Sequence, residues 1–218
     1  MSYRLFLFDL DGTLIDTSPG ILSALRKTEQ ALGIKPLPDE TLQKFIGPPL
    51  EWSFEEYYGV SPEEAVRRAK TYREIYGTDG VYESKLYPFI KETLRFIREH
   101  GGKSAVCSLK IDRMVDLTLG CYDLAQLFDA IVGRSAENPT KADTVRTAME
   151  TLCWEDPTKA VLLGDSRYDG EGAEAAGVAF LPITYGFGFA EPHSLDGLPR
   201  VGKAASPEDV FRFVKAQF

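Results

Sequence analysis

The chain predicts an α/β protein: a doubly wound parallel sheet with a small α-helical domain inserted after its first strand. Three observations carry that prediction. Short, continuous apolar runs recur along the 218 residues, as strands buried on both faces require. From about residue 86 onward they alternate with stretches whose apolar residues recur at helical spacing, the pattern of βαβ units. Residues 16–85 contain helical patterns and no strand signal, and are too long for a crossover connection.

The first run, Arg4-Leu5-Phe6-Leu7-Phe8, ends in an Asp-Gly turn at Asp11-Gly12. Ser18-Pro19 then reads as an N-cap with proline at the first helical position, followed by Ile21, Leu25 and Leu32. Pro36, Pro38, Pro48 and Pro49 punctuate the next stretch. Ser61-Pro62-Glu63-Glu64 reads as a capping box, with Ala65, Ala69, Tyr72 and Tyr76 at helical spacing behind it. Ile90, Leu94 and Ile97 then share a helix face that Gly101-Gly102 bring to an end. Strand runs follow at 104–107, 130–132, 160–163 and 178–181, with a helix of Val145, Ala148 and Leu152 behind Lys141. The expected division is a core domain of residues 1–15 and 86–218 and a helical domain of residues 16–85. No internal repeat or flexible tail interrupts it.

Composition narrows the function. Apolar residues at 44% and charged residues at 27% are values of a soluble globular chain, which excludes wholesale disorder. A formal charge of −8 disfavours a nucleic-acid polymer or an anionic membrane as partner, since both demand a basic footprint. An anionic substrate must therefore find local positive charge. Cys107, Cys121 and Cys153 are few, odd in number and unspaced for metal or redox motifs, so each is expected to be a small buried apolar side chain. No run approaches the ~18 apolar residues of a membrane span. Asp9 and Asp11 directly after the opening apolar run are unlike a signal peptide, and a cytoplasmic location is expected. The oligomeric state has no signature.

In doubly wound sheets ligands sit outside the carboxyl ends of the strands, so polar residues closing the strand runs are the candidates for chemistry. The first run closes in Asp9-Leu10-Asp11-Gly12-Thr13, the second in Ser108, and the fourth in Gly164-Asp165 with Asp169 four residues on; Lys141 precedes the helix after the third. Each has a plainer role: a turn residue, a loop hydroxyl, a solvated surface charge, or an N-cap with a first-turn acid. Together, in order, they describe one cleft. Carboxylates gathered there need a cation, and an all-oxygen set without His or Cys suits magnesium. The lysine, the serine hydroxyl and backbone N–H groups of the glycine turn match a phosphoryl group. The expected ligand is a phosphate held with magnesium. A calcium loop does not fit, because Leu14 stands where that loop needs glycine and Gly20 where it needs glutamate.

The segment Phe8-Asp9-Leu10-Asp11-Gly12-Thr13-Leu14, then Ser108, Lys141 and Gly164-Asp165-Ser166-Arg167-Tyr168-Asp169, resembles the four motifs of the haloacid dehalogenase superfamily. Residues 16–85 resemble its C1 helical cap, and Phe45-Ile46-Gly47-Pro48-Pro49-Leu50 with Tyr72-Arg73-x-x-Tyr76 resembles the phosphoglycolate-phosphatase-like subfamily. The resemblance covers essentially the whole chain. It implies a Rossmann-like core and a phosphatase acting on a small phosphorylated metabolite. In that scheme Asp9 is the nucleophile that forms an aspartyl-phosphate, and Asp11 is the general acid and then base. Asp9, the backbone carbonyl of Asp11 and Asp165 hold Mg2+, with Asp169 a further metal ligand or a group that orients one. Leu10, Gly12, Thr13, Ser108, Lys110 and Lys141 bind substrate, and the cap selects it. This sequence departs from the pattern at Leu109, where relatives carry Asn. Lys110 reads equally as a substrate contact or a solvated charge, Arg167 as a surface charge rather than a gate, and Gly47-Pro48-Pro49 with Lys44 or Arg73 as a closing loop or a plain turn. Tyr57, Tyr58, Tyr72 and Tyr76 are expected in the cap core.

The resemblance leaves alternatives. An acid at Asp11 argues against dehalogenases and phosphonatases, and Ile21 stands where a β-phosphoglucomutase carries His. An inorganic pyrophosphatase shares every motif. A phosphate-binding regulatory module such as a receiver domain has no such cap, and its lysine ends the last strand.

Overall fold

The computed structural model describes residues 2–189 and 193–218. Two compact units divide the chain, residues 1–15 with 86–218 and residues 16–85.

The first unit is built on a five-stranded parallel sheet. Its strands are β1 (Leu5–Phe8), β4 (Lys103–Ile111), β5 (Ala130–Arg134), β6 (Ala160–Gly164) and β7 (Ala179–Pro182), in the order β5-β4-β1-β6-β7. Leu5 lies opposite both Lys103 and Ala160, so β1 is flanked on both sides. The strand order reverses at β1, which places the ligand crevice at the carboxyl end of that strand. Side-chain alternation sorts β1 between two cores. Phe6 and Phe8 join Val106, Leu163 and residues of α5 (Ile90–Glu99), α6 (Asp112–Gly120) and α9 (Pro207–Lys215) on one face. Leu5 and Leu7 join Cys107, Leu162 and residues of α7 (Lys141–Thr151) and α8 (Arg167–Ala176) on the other. A strand covered by helices on both faces has to be apolar throughout, which is why its sequence does not alternate.

Two sequence expectations about this unit need correction. The second long strand does not end at Ser108. Pairing shifts register after Cys107 and resumes with Ile111 opposite Arg134, so Ser108 lies within an irregular stretch of β4. Polar Ser108 and Lys110 break the apolar run without ending the strand. Of the cysteines only Cys107 is buried. Cys121 ends α6 and Cys153 follows α7 with φ 51°, and both are exposed because the chain turns at the surface there.

The second unit holds α1 (Ser18–Leu32), α2 (Asp39–Gln43), α3 (Leu50–Tyr58) and α4 (Pro62–Thr78). Thr17, one residue earlier than expected, is the N-cap of α1, and the Asp16 carboxylate accepts from the Ser18 N–H and hydroxyl. Ser61 caps α4 by accepting from the Glu64 N–H, while the Glu64 carboxylate reaches Arg67 and Arg68. Leu25, Leu42, Phe45, Phe54 and the stacked pair Tyr72 and Tyr76 form its core, with Tyr57 and Tyr58 half-buried. Buried Glu29 accepts from the Tyr58 hydroxyl, the Leu37 N–H and Arg26, each at 2.7 Å, which satisfies its charge. Residues 47–49 form the turn between α2 and α3, Lys44 caps the end of α2, and Arg73 pairs with Glu51. Two-residue strands β2 (Ile15–Asp16) and β3 (Lys85–Leu86) pair where the chain passes between the units. Among the described residues no helix is long and apolar enough to cross a membrane.

Candidate active site

Asp9 is the first residue beyond β1, its N–H still paired to the Leu163 carbonyl, and the residue is 8% exposed. The chain then wraps tightly: the Thr13, Leu14 and Ile15 N–H groups all donate to the Leu10 carbonyl, and the Gly12 N–H donates to Ile15. Leu10 itself is fully buried, so it offers the site only its backbone. Gly12 has φ +80°, and a Cβ there would lie 2.2 Å from Asp165 Oδ2. A glycine is the residue that can both turn the chain this way and let a carboxylate approach it. The buried Thr13 hydroxyl has no hydrogen-bond partner among the described residues.

Two capped helices deliver the remaining groups. Thr140 and Asp143 form a capping box at the start of α7, which fixes Lys141 as its first residue. Lys141 is 4% exposed, and its ammonium meets Asp9 Oδ1 at 2.5 Å, the Cys107 carbonyl at 2.7 Å and Asp169 Oδ1 at 2.8 Å. Asp169 is at once the capping partner of α8 and part of the site. Its Oδ2 accepts from the Ser166 N–H and hydroxyl, at 3.0 and 2.6 Å, while Oδ1 faces Lys141. Asp165 follows β6 and accepts from the Phe187 N–H at 2.6 Å. Ser108 is buried and accepts from the Lys110 N–H at 3.2 Å. The Lys110 ammonium reaches back to both oxygens of Asp11, at 2.8 and 3.0 Å. Arg167 is exposed and donates to the Ser194 and Asp196 carbonyls.

Thus the structure gathers Asp9, Asp165, Asp169 and Lys141, sets Gly12 against Asp165, and ties Lys110 to Asp11. The sequence reading missed the loop carrying Tyr185 and Phe187. Its Tyr-Gly-Phe-Gly pattern directly after the last strand run was the available signal.

The electrostatics are unbalanced. One oxygen from each of Asp9, Asp165 and Asp169 lies within 4.8 Å of the others, all three residues buried. Burial pushes the Asp9 carboxyl up to about 7, with Lys141 opposing and Asp169 and Asp11 adding to the rise. Asp165 is pushed well above the carboxylate range, first by burial and then by Asp9 and Asp169. Burial works against the Lys141 charge, but Asp169 and Asp9 outweigh it and raise its pKa. One ammonium cannot balance three buried carboxylates. A divalent cation can, and a set of hard oxygen donors fits one.

The chain is similar to known proteins over most of its length. The profile of haloacid dehalogenase-like hydrolases matches residues 6–183. A phosphoglycolate phosphatase of Aquifex aeolicus is 32% identical over 187 residues, spanning 84% of this chain and 86% of the relative. A tyrosine-protein kinase, PtkA of Mycobacterium bovis, is 31% identical over 194 residues, 87% of this chain and 65% of that protein. A haloacid dehalogenase-like hydrolase of Streptococcus pneumoniae superposes with a TM-score of 0.87 at 32% identity, over 97% of this chain and 98% of that one. The chain belongs to the haloacid dehalogenase-like hydrolase family, in its phosphoglycolate-phosphatase-like subfamily.

Proposed function

We propose that this protein is a magnesium-dependent phosphatase that hydrolyses a small phosphate monoester through an aspartyl-phosphate on Asp9. The observation that carries the reading is the buried Asp9 carboxylate held by Lys141 beside Asp165 and Asp169. A carboxylate oxygen of Asp9 attacks phosphorus in line, forming an acyl phosphate as the bond to the leaving oxygen breaks. Asp11 gives its proton to the departing alkoxide. It then takes a proton from the water that attacks the acyl phosphate, releasing inorganic phosphate and restoring Asp9. Asp11 cannot do this while Lys110 grips both its oxygens, so that pair opens during turnover.

The hydroxyls of Ser108 and Thr13 and the Leu10 backbone receive the phosphoryl oxygens, and Lys141 offsets charge on both nucleophile and phosphoryl group. The carboxylates of Asp9, Asp165 and Asp169, with the Asp11 carbonyl, would hold Mg2+. When bound it supplies the positive charge that brings a carboxylate and a phosphate dianion together.

The test is phosphate release from a panel of 2-phosphoglycolate, sugar phosphates, nucleotides, phosphotyrosine and pyrophosphate. Phosphotyrosine is included because one relative bears a tyrosine-kinase name. Turnover of a monoester with Mg2+, lost on chelation, is expected. Metal-independent turnover contradicts the reading, and preference for pyrophosphate would replace monoesterase with pyrophosphatase. Phosphate binding without any turnover would make it a regulatory module.

A further inference from the structure

The loop after β7, Thr184-Tyr185-Gly186-Phe187-Gly188, belongs to none of the motifs assigned so far, yet it touches both acidic loops of the site. The Phe187 N–H donates to Asp165 Oδ2 at 2.6 Å. The Tyr185 hydroxyl donates to the Thr13 carbonyl at 2.8 Å, and its ring meets Tyr87 edge-on at 4.9 Å. Two positions in this loop come so close that no side chain fits. A Cβ on Gly186 would lie 2.4 Å from Asp165 Cβ and 2.5 Å from the Gly12 carbonyl oxygen. One on Gly188 would lie 2.6 Å from the Asp165 carbonyl oxygen. Backbone atoms cannot step aside from such contacts as a flexible side chain can.

These contacts act on orientation. The Phe187 amide occupies a lone pair of Oδ2 and so sets the rotation of the Asp165 carboxylate. Gly12 and Gly186 close in on the same carboxylate and bar it from swinging. What remains is a fixed presentation of Asp165 to Asp9 and Asp169. The Tyr185 hydroxyl does for the Asp11–Thr13 turn what the Phe187 amide does for Asp165.

We propose that residues 185–188 form a clasp that positions Asp165 and the Asp11–Thr13 turn for the divalent cation. The Phe187 amide and the Tyr185 hydroxyl are its positioning groups, and position 186 must be glycine. The clasp rests on the metal site proposed above. Groups that orient a ligand without touching the metal govern its affinity, because an unoriented carboxylate must lose its freedom on binding.

Mn2+ is the probe, titrated by calorimetry and by electron paramagnetic resonance into the metal-free full-length protein. Gly186→Ala should weaken Mn2+ binding at least about tenfold, the usual loss when a ligand's supporting contact is removed. Tyr185→Phe keeps the ring and removes only the donor, so it should fold and weaken binding by on the order of tenfold. Gly177→Ala is the comparator: Gly177 ends α8 at φ +73° with open space around it, so the change strains the backbone away from the site. It should lower thermal stability and leave Mn2+ affinity within about twofold of the wild type.

If Gly186→Ala does not fold, Tyr185→Phe decides. Wild-type Mn2+ affinity in either folded variant overturns the clasp and leaves the metal site standing. If the wild type binds no Mn2+ that Asp165→Asn abolishes, the metal site itself is wrong, and the clasp falls with it.

Discussion

Asp9 is buried beside one cation and three further acidic side chains, Asp11, Asp165 and Asp169, and its neighbours rather than its type decide what it can do. Asparagine at this position keeps the size and loses the nucleophile. Asp9→Asn should lower kcat by at least about a thousandfold with folding intact, the scale of losing a covalent step. Residual turnover within tenfold of wild type would remove Asp9 from that role. In the proposed mechanism Asp11 does the proton work, which matters most when the leaving oxygen is basic. Asp11→Asn should therefore slow alkyl phosphates at least about tenfold more than aryl phosphates. Equal losses would point to a role in holding the turn instead. Cys107 lies on the same strand as Ser108 but is inert: burial pushes its thiol up to about 12. A thiolate reagent at neutral pH should label exposed Cys121 and Cys153 and reach Cys107 only after denaturation, as peptide mass mapping would show.

At the level of elements, caps place the chemistry. Thr140 starts α7 at Lys141, and Ser206 starts α9 by an equivalent bond to the Asp209 N–H, far along the chain from any catalytic group. Thr140→Ala and Ser206→Ala should each cost about 1 kcal/mol of stability, measurable by urea unfolding. Only Thr140→Ala should also lower kcat, because the lysine it frees is the one that meets Asp9 and Asp169. A Ser206→Ala variant with the same kcat loss would show that global softening, not lysine placement, is responsible.

The legibility of the molecule follows from the same distinction. Leu5–Phe8 and the run at 160–163 were readable because strands covered on both faces must be apolar without interruption. Asp9, Lys141, Asp165 and Asp169 could be picked out because the ends of such strands are where ligands bind in this architecture. The extent of β4 was not readable, since Ser108 and Lys110 interrupt the apolar run while backbone pairing continues. Nor was the Lys110–Asp11 pair, which joins residues 99 apart and exists only through the sheet order. The starts of α8 and α9 did carry signals, Ser166 with Asp169 and Ser206-Pro207 with Asp209. The former caps α8 and also brings Asp169 beside Asp9 and Asp165.

Across the whole molecule the buried acids tie stability to pH and to metal. The native Asp9 and Asp165 carboxyls titrate above the ordinary 3.8, so between pH 3.8 and about 7 the metal-free native state holds protons that the unfolded chain has released. Native-state proton excess means that this contribution to stability is present at low pH and declines as pH rises through that window. A divalent cation reverses the decline by replacing the protons. The rise in Tm on adding Mg2+ should therefore be larger at pH 7.5 than at pH 4.5, and it should vanish in Asp165→Asn. An equal rise at both values would mean that cation binding does not compete with protons at these carboxylates.

The proposed covalent bond between phosphorus and Asp9 can be caught directly. Enzyme turning over a monoester with Mg2+ is quenched with borohydride, which reduces an aspartyl-phosphate to homoserine, and the peptides are sequenced by mass spectrometry. Homoserine at position 9, absent without substrate or with metal chelated, is the predicted result. Enzyme that demonstrably turns over yet carries no homoserine at position 9, or carries it at another aspartate, would contradict the account.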